Sequence, residues 1–339
     1  MTDSPLVIAP MAGGPSTVDL VVASLEAGAF AFLAGGYLTA DRLAQDLAAV
    51  RARTQRPVGV NLFVPGEPVP EVDAAVSEYA ARLAPWAEVA GVDLGEPRWE
   101  DDDYAAKLDL LVRERPAIVS FTFGWPSAGD VARLHEAGVE VWCTLNQPEE
   151  VAWAVELGVD AVVAQGWQAG GHRGGPVDTG SEQLGTGDLL REVRSATDLP
   201  VIAAGGVTGR DDVQQLLAAG AAAVAVGTLV LRTPEAGTSE IHRDALTTRE
   251  GTVVTRAFTG RSARALTTSW TELVPPDLPA AYPQVHHLTK PLRDHGKSTG
   301  NPELVHLWAG AGHTAAPARP VAEVVRTLLG EQDDVRPGR

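Results

Sequence analysis

The chain has 339 residues, 45% of them hydrophobic and 21% charged, enough to bury one large core or one core with a smaller appended domain. A net charge of −17, with no acidic run longer than Glu100 to Asp103, argues against nucleic acid or an anionic membrane as partner. The N-terminus lacks a basic leader, no apolar run approaches a membrane span, and the lone Cys143 excludes an internal disulfide framework. A cytoplasmic setting is expected, with Cys143 as a core filler.

Short β-branched runs alternate with longer helical ones, which predicts a parallel sheet. The first strand spans 6–10 and is followed by Met11-Ala12-Gly13-Gly14 and a helix over 17–27. A strand over 30–33 is broken by Gly35-Gly36. A helix over 39–53 then starts on a threonine cap and ends before Pro57. The third strand covers 58–63. After it come a proline-rich loop, a helix near 71–84, an acidic break at 96–103 and a helix near 104–113. Strands over 117–123, 139–144, 161–164, 200–204 and 223–226 alternate with helices over 128–137, 148–157, 188–196 and 210–219.

Eight strand–helix units in about 230 residues predict an α/β fold, a (β/α)8 TIM barrel over 1–231. The other topology with this rhythm is an open doubly wound sheet, whose Gly-x-Gly-x-x-Gly fingerprint is missing. Beyond Thr233 the rhythm stops. A helix over 238–248 and a strand over 253–258 precede a stretch rich in proline (Pro275, Pro276, Pro279, Pro283). His286, His287, His295, His306 and His313 lie in that irregular part and are read as surface groups. We assign 232–315 to a cap on the substrate side of the barrel. The segment 316–339 holds a last helix over 316–329 and a polar, frayed tail.

In such a barrel the chemistry sits at the C-terminal ends of the strands. Those ends carry Met11, Ala12 and Gly13, then Asn61, Thr122, Gln165, Gly205-Gly206 and Gly227-Thr228. No carboxylate pair and no metal-ligating cluster appears among them, which weakens a glycosidase or metalloenzyme reading; no metal is expected. The glycine turns after the seventh and eighth strands fall where barrels bind phosphate on exposed amides. The neutral polar groups suit the rim of a flavin ring, whose redox chemistry would belong to the cofactor. Gln165 opens a loop, Gly166-Trp167-Gln168-Ala169-Gly170-Gly171-His172-Arg173-Gly174-Gly175, with His172 as its one group able to exchange a proton near neutral pH. Arg173 is a candidate anion attractor. Trp125 and Trp167, which follow strand ends, are candidate pocket walls beside Thr122.

At these residues the chain resembles the nitronate monooxygenase family of FMN-dependent barrels. The likeness runs through Ala9 to Gly14, Val60 to Phe63, Ser120 to Gly124, Gln165 with Ala169 to Gly174, Ala203 to Gly206, Val226 to Thr228 and Phe258 to Arg264. It implies FMN held by Asn61, Gln165, Gly170, Gly206 and the turn from Ala225 through Gly227 to Thr228, with Gly171 and Gly205 in the same loops. It also implies His172 as catalytic base, and oxidation of alkyl nitronates, or of nitroalkanes after loss of a proton, by O2 to a carbonyl compound and nitrite. One departure is Gln168, where the family often carries an acidic residue. A reductase using NAD(P)H on quinones or enoyl thioesters, and a non-catalytic FMN or phosphate-ligand binding protein, remain open alternatives. So does an oligomer.

Overall fold

The computed structural model describes residues 3–67, 73–180, 183–273, 278 and 280–330. The tail after Gly330, the prolines Pro275, Pro276 and Pro279, and the expected helix start at Glu71 lie outside these residues. In the first half of the chain β1 (Leu6–Ile8), α1 (Val18–Glu26), β2 (Phe30–Ala34), α2 (Ala40–Arg51), β3 (Gly59–Phe63), α3 (Asp73–Ala90), α4 (Tyr104–Glu114), β4 (Ile118–Thr122), α5 (Ala128–Glu136), β5 (Glu140–Leu145), α6 (Val151–Leu157) and β6 (Ala161–Gln165) follow one another. Then come β7 (Gly171–His172), α7 (Thr186–Ala196), β8 (Val201–Ala204), α8 (Arg210–Ala218) and β9 (Ala223–Val226). The last part holds α9 (Glu240–Thr248), β10 (Thr252–Thr255), β11 (Ala263–Leu266), α10 (Ser269–Leu273), α11 (Gln284–Thr299) and α12 (Val321–Leu329).

Strands β1 to β6, β8 and β9 close into one parallel barrel, with Val7 of β1 in register with Ala225 of β9. Helix starts follow local chemistry. Thr17 caps α1 by accepting the Leu20 N–H, Thr39 caps α2 through the Arg42 N–H, and Ser127 with Asp130 forms a capping box on α5.

Alternation along each strand separates two cores. Leu6, Ile8, Ala31, Leu33, Val141, Cys143, Val201 and Val224 face the helices in the larger core. Cys143 is buried there, as expected of a filler. The opposite parity (Val7, Phe30, Phe32, Ile118, Trp142, Ile202) fills the barrel bore. Three of its rings meet, with Phe32 at 5.1 Å from Phe30 and 5.6 Å from Trp142. Gly59 makes room for them, because a Cβ there would collide with the Phe32 ring. Moving up the bore on the same parity, apolar residues give way to Asn61, Ser120, Thr122, Thr144 and Gln165. The sequence therefore builds an apolar floor under a polar mouth.

A three-stranded antiparallel sheet, β10–β11–β7, stands above that mouth. It ties the glycine loop to the C-terminal part, with His172 paired to Ala263 and Gly171 to Arg264. A separate hydrophobic cluster centred on Phe258, Trp270, Val285 and Leu288 supports this sheet, and Val76, Tyr79 and Leu83 of α3 belong to it. Tyr79 donates to the Ala257 carbonyl at 2.8 Å and accepts from Trp270 Nε1 at 2.8 Å.

The region expected to be irregular contains α11, a 16-residue helix with Pro291 inside it. Val285, Leu288 and Leu292 form its apolar stripe. This corrects the surface reading of the histidines: His286, His287 and His313 are buried. His286 and His287 lie on the packed side of α11, and His313 bonds through Nδ1 to the Leu246 carbonyl at 2.9 Å.

Candidate active site

One cavity of about 580 Å³ opens at the C-terminal ends of the barrel strands and extends under α11, a size usual for a small-molecule or cofactor site. Its wall includes every residue named above for the cofactor: Met11, Ala12, Gly13, Asn61, Gln165, Gly170, Gly171, Gly205, Gly206, Ala225, Gly227 and Thr228. Thr122 and His172 line it too. Trp125, Trp167 and Arg173 do not. Trp125 packs against the core between strands and helices. The Trp167 ring lies between two guanidiniums, Arg173 and Arg264, each 5.4 Å from its centroid. Arg173 is 3% exposed and donates to the carbonyls of Gly166 and Gln165 and to Gln183 Oε1, so its charge holds the loop together instead of facing the cavity. Gln168 accepts from the Thr186 N–H and hydroxyl at the start of α7, so the departure at this position falls outside the cavity wall.

At one end of the cavity β8 runs into Gly205 and Gly206, whose φ values of 110° and 73° are left-handed, and β9 runs into Gly227 and a short 3-10 turn. The backbone N–H groups of Gly205, Gly206, Gly227 and Thr228 find no acceptor among the described residues. Free backbone donors at glycine turns on a cavity wall are the chemistry that suits an anion of phosphate type. The start of α8 contributes little to it. Asp212 Oδ2 already accepts from the Thr208 N–H and hydroxyl there, at 2.7 and 2.6 Å. Gly170 closes the cradle. A Cβ on it would collide with the backbone of Ala309 and Gly310, and the Gly310 N–H donates to Thr228 Oγ1 at 3.0 Å.

Gln165 and Asn61 sit between this cradle and the cap. Gln165 Oε1 accepts from the Gly174 N–H and Asn146 Nδ2, both at 2.8 Å, while its Nε2 donates to the His172 carbonyl at 3.0 Å. The residue thus fastens the stretch from His172 to Gly174 to β6. Asn61 Nδ2 donates to the Ser120 carbonyl and hydroxyl at 3.1 and 3.0 Å.

His172 Nε2 lies 2.8 Å from Thr259 Oγ1, and its ring is set among Phe123, Trp308 and Tyr282 at 5.3, 5.0 and 6.3 Å. Burial, reinforced by the Arg261 and Arg293 guanidiniums, pulls its pKa down to about 3. The imidazole is therefore neutral throughout the physiological range. Arg261 stacks on Phe123 at 4.4 Å and donates to the carbonyls of Arg173 and Gly175.

At the α11 end of the cavity three cations outnumber the one carboxylate, Asp294, against the sign of the whole chain. Lys290, Arg293 and Lys297 of α11 line it with His242, His286 and His306. Arg293 is 4% exposed and hydrogen-bonds the His286 carbonyl and Thr289 Oγ1, with no carboxylate in contact among the described residues. Asp294 is engaged by Lys290 instead. Burial and these cations keep His286 and His306 neutral; His286 is held at about 2. No residue of α11 was read as functional from the sequence, although Val285, Leu288 and Leu292 carry the helical spacing that would have revealed the helix.

The profile of the family described as nitronate monooxygenase matches residues 1–331. A nitronate monooxygenase of Paraburkholderia phytofirmans is 36% identical over 340 residues, covering 96% of this chain and 91% of that protein. One from Pseudomonas aeruginosa is 35% identical, covering 96% and 95%. Among solved structures, a nitroalkane oxidase from Streptomyces ansochromogenes superposes with a TM-score of 0.94 at 42% identity, over 97% of this chain and 96% of that one. FabK from Thermotoga maritima, at 22% identity and a TM-score of 0.74, shares the fold.

Proposed function

Because the chain belongs to the nitronate monooxygenase family, a family of oxidoreductases, we propose that it binds FMN and oxidises alkyl nitronates with O2 to a carbonyl compound and nitrite. One observation carries the reading. A single cavity joins the four free backbone donors of a phosphate cradle to a neutral His172 and a buried Arg293 that makes no ion pair among the described residues.

The donor set fits FMN. The phosphate would rest on the N–H groups of Gly205, Gly206, Gly227 and Thr228, and the ring edge would meet Asn61, Gln165 and the backbone of Met11 to Gly13. The chemistry that FMN supplies when bound is acceptance of an electron from the nitronate and its delivery to O2. The protein does the rest. The anionic substrate enters toward Arg293 and Lys297, cations that no carboxylate among the described residues contacts. Arg293 is buried, so its charge acts strongly in a wall shielded from water, while the exposed Lys297 adds a weaker, solvent-screened attraction. Phe123, Trp308 and Tyr282 enclose His172 and keep water from the reacting carbon. For a neutral nitroalkane, the unprotonated His172 is the group that takes the α-proton; for a nitronate that step is already complete.

The test is anaerobic. The purified protein should carry a yellow flavin that a nitronate reduces, with O2 restoring the colour and nitrite accumulating. A flavin that NADPH reduces while nitronates leave it oxidised would overturn the substrate assignment. A colourless protein that takes up no added FMN would overturn the cofactor.

A further inference from the structure

The acidic break at 96–103 plays no part in the site described so far, yet it reaches the cavity wall. Asp102 lies between α3 and α4, and its carboxylate is shared between two groups. Oδ1 accepts the backbone N–H of Tyr37 at 2.8 Å, and Oδ2 meets Lys107 Nζ at 2.8 Å. The pair is sequestered, with the Lys107 side chain 1% exposed and that of Asp102 12% exposed. Beside it, Asp103 Oδ2 accepts the Ala40 N–H at the start of α2, so the break grips the turn after β2 at two points.

Tyr37 needs that grip. Its φ is 66°, a left-handed conformation that an aromatic residue with a Cβ adopts only when its surroundings impose it. The conformation lays the Tyr37 ring parallel to the His286 ring, 4.6 Å away at 9°, and edge-on to Phe63 at 5.4 Å. Tyr282 stands edge-on to the same His286 ring at 6.3 Å. Tyr37 and His286 line the cavity, and Tyr282 is one of the rings around His172.

We propose that Asp102, backed by Lys107, is a positioning residue that holds Tyr37 as the substrate-side wall and so sets which nitronates fit. The substrate class rests on the function proposed above; the clamp itself rests on geometry alone. Neither Asp102 nor Lys107 lines the cavity, and they act through Tyr37. With the wall released, the space over His172 widens. Compact nitronates lose their fit and bulky ones gain room.

The test compares two double variants. Asp102→Asn with Lys107→Gln keeps an acceptor for the Tyr37 N–H and leaves no unpaired charge. Asp102→Gly with Lys107→Met removes the acceptor while glycine tolerates the left-handed φ of 56° at position 102. The chain has four tyrosines, Tyr37, Tyr79, Tyr104 and Tyr282, and all four titrate above the ordinary value because they are buried; Tyr37 is pushed up to about 12. Wild type and the Asn/Gln protein should show no tyrosinate absorbance forming near pH ~10, where a free tyrosine titrates. The Gly/Met protein should show one tyrosine doing so. Its preference in kcat/KM for ethyl nitronate over the nitronate of nitrocyclohexane should also fall by at least about tenfold, roughly 1.4 kcal/mol.

Titration and preference unchanged in the Gly/Met protein would overturn the clamp. Altered titration with no nitronate turnover even in wild type would leave the clamp standing and defeat the proposed function. Should the Gly/Met protein not fold, Tyr37→Gly is added, since glycine accepts the strained conformation unaided. Recovery of folding supports the clamp, and failure in both backgrounds overturns it.

Discussion

Mild acid should destabilise this protein well above the range where its carboxylates titrate. His286 and His242 are 8% and 7% exposed, with pKa values drawn down by burial to about 2 and about 4. His172, held at about 3, and His306, also lowered, line the cavity as those two do. In the unfolded chain each returns to about 6.5. A base whose folded pKa is depressed contributes fully above its unfolded pKa and loses that contribution as pH falls below it. Between pH 7.5 and 5.5 each fully buried histidine therefore removes about 1.4 kcal/mol. Asp102 works the other way. Burial raises it to about 6 although Lys107 pulls it back, so it takes up a proton in the folded state and returns about 0.8 kcal/mol. Counting His286 and His242 alone the net loss is about 2 kcal/mol, and adding His172 makes it about 3; His306 acts in the same direction. For a chain of this length, with an unfolding entropy near 0.7 kcal/mol/K, that lowers Tm by about 3–5 °C. Thermal unfolding followed by circular dichroism at fixed ionic strength reads it directly. His286→Phe, which keeps a ring against Tyr37, should reduce the loss by about 1.4 kcal/mol. A Tm that is flat or rises between pH 7.5 and 5.5 would refute the reasoning.

Three further outcomes follow from the site. His172→Asn should cost nitroalkane turnover about 10²-fold, the lower end for a general base because the imidazole is so weakly basic, and leave nitronate turnover within a few-fold; equal losses would defeat the assignment. Gly170→Ala pushes a methyl into Ala309 and Gly310, so flavin content after dialysis should drop, with at least about tenfold weaker binding worth ~1.4 kcal/mol. Unchanged FMN titration would count against the cradle. Arg293→Met removes a buried cation that no carboxylate among the described residues contacts, so Tm should hold or rise while KM for the nitronate increases about tenfold at similar kcat. A lower Tm together with an unchanged KM would show a purely structural arginine.

Much of the barrel was legible because strand parity is written locally. Val7, Phe32 and Trp142 alternate with outward residues in any window of five, and the threonine caps are equally local. The cavity's strand ends were legible for the same reason. What local pattern could not show was side-chain direction within the loop after β6. Arg173 and Trp167 stand beside His172 in sequence, but β7 pairs with β11 and points them into a guanidinium–indole stack. Helix α11 was obscured by Pro283 and Pro291, whose breaking signal outweighed the spacing of Val285, Leu288 and Leu292. The Asp102–Lys107 pair is invisible to any periodicity argument, since a lysine on α4 reads as solvated until another segment covers it.

The pairing of β7 with β11 has a consequence for how the chain matures. His172 and its Thr259 partner are 87 residues apart, and the barrel itself closes only when β9 reaches β1. A nascent chain leaving the ribosome can therefore complete neither the cradle at Thr228 nor the setting of His172 until the C-terminal part has emerged. Contacts of such long range form late and slowly. Catalytic competence then arrives in one late step, and a chain truncated before β11 would lack both the neutral histidine and the cationic wall.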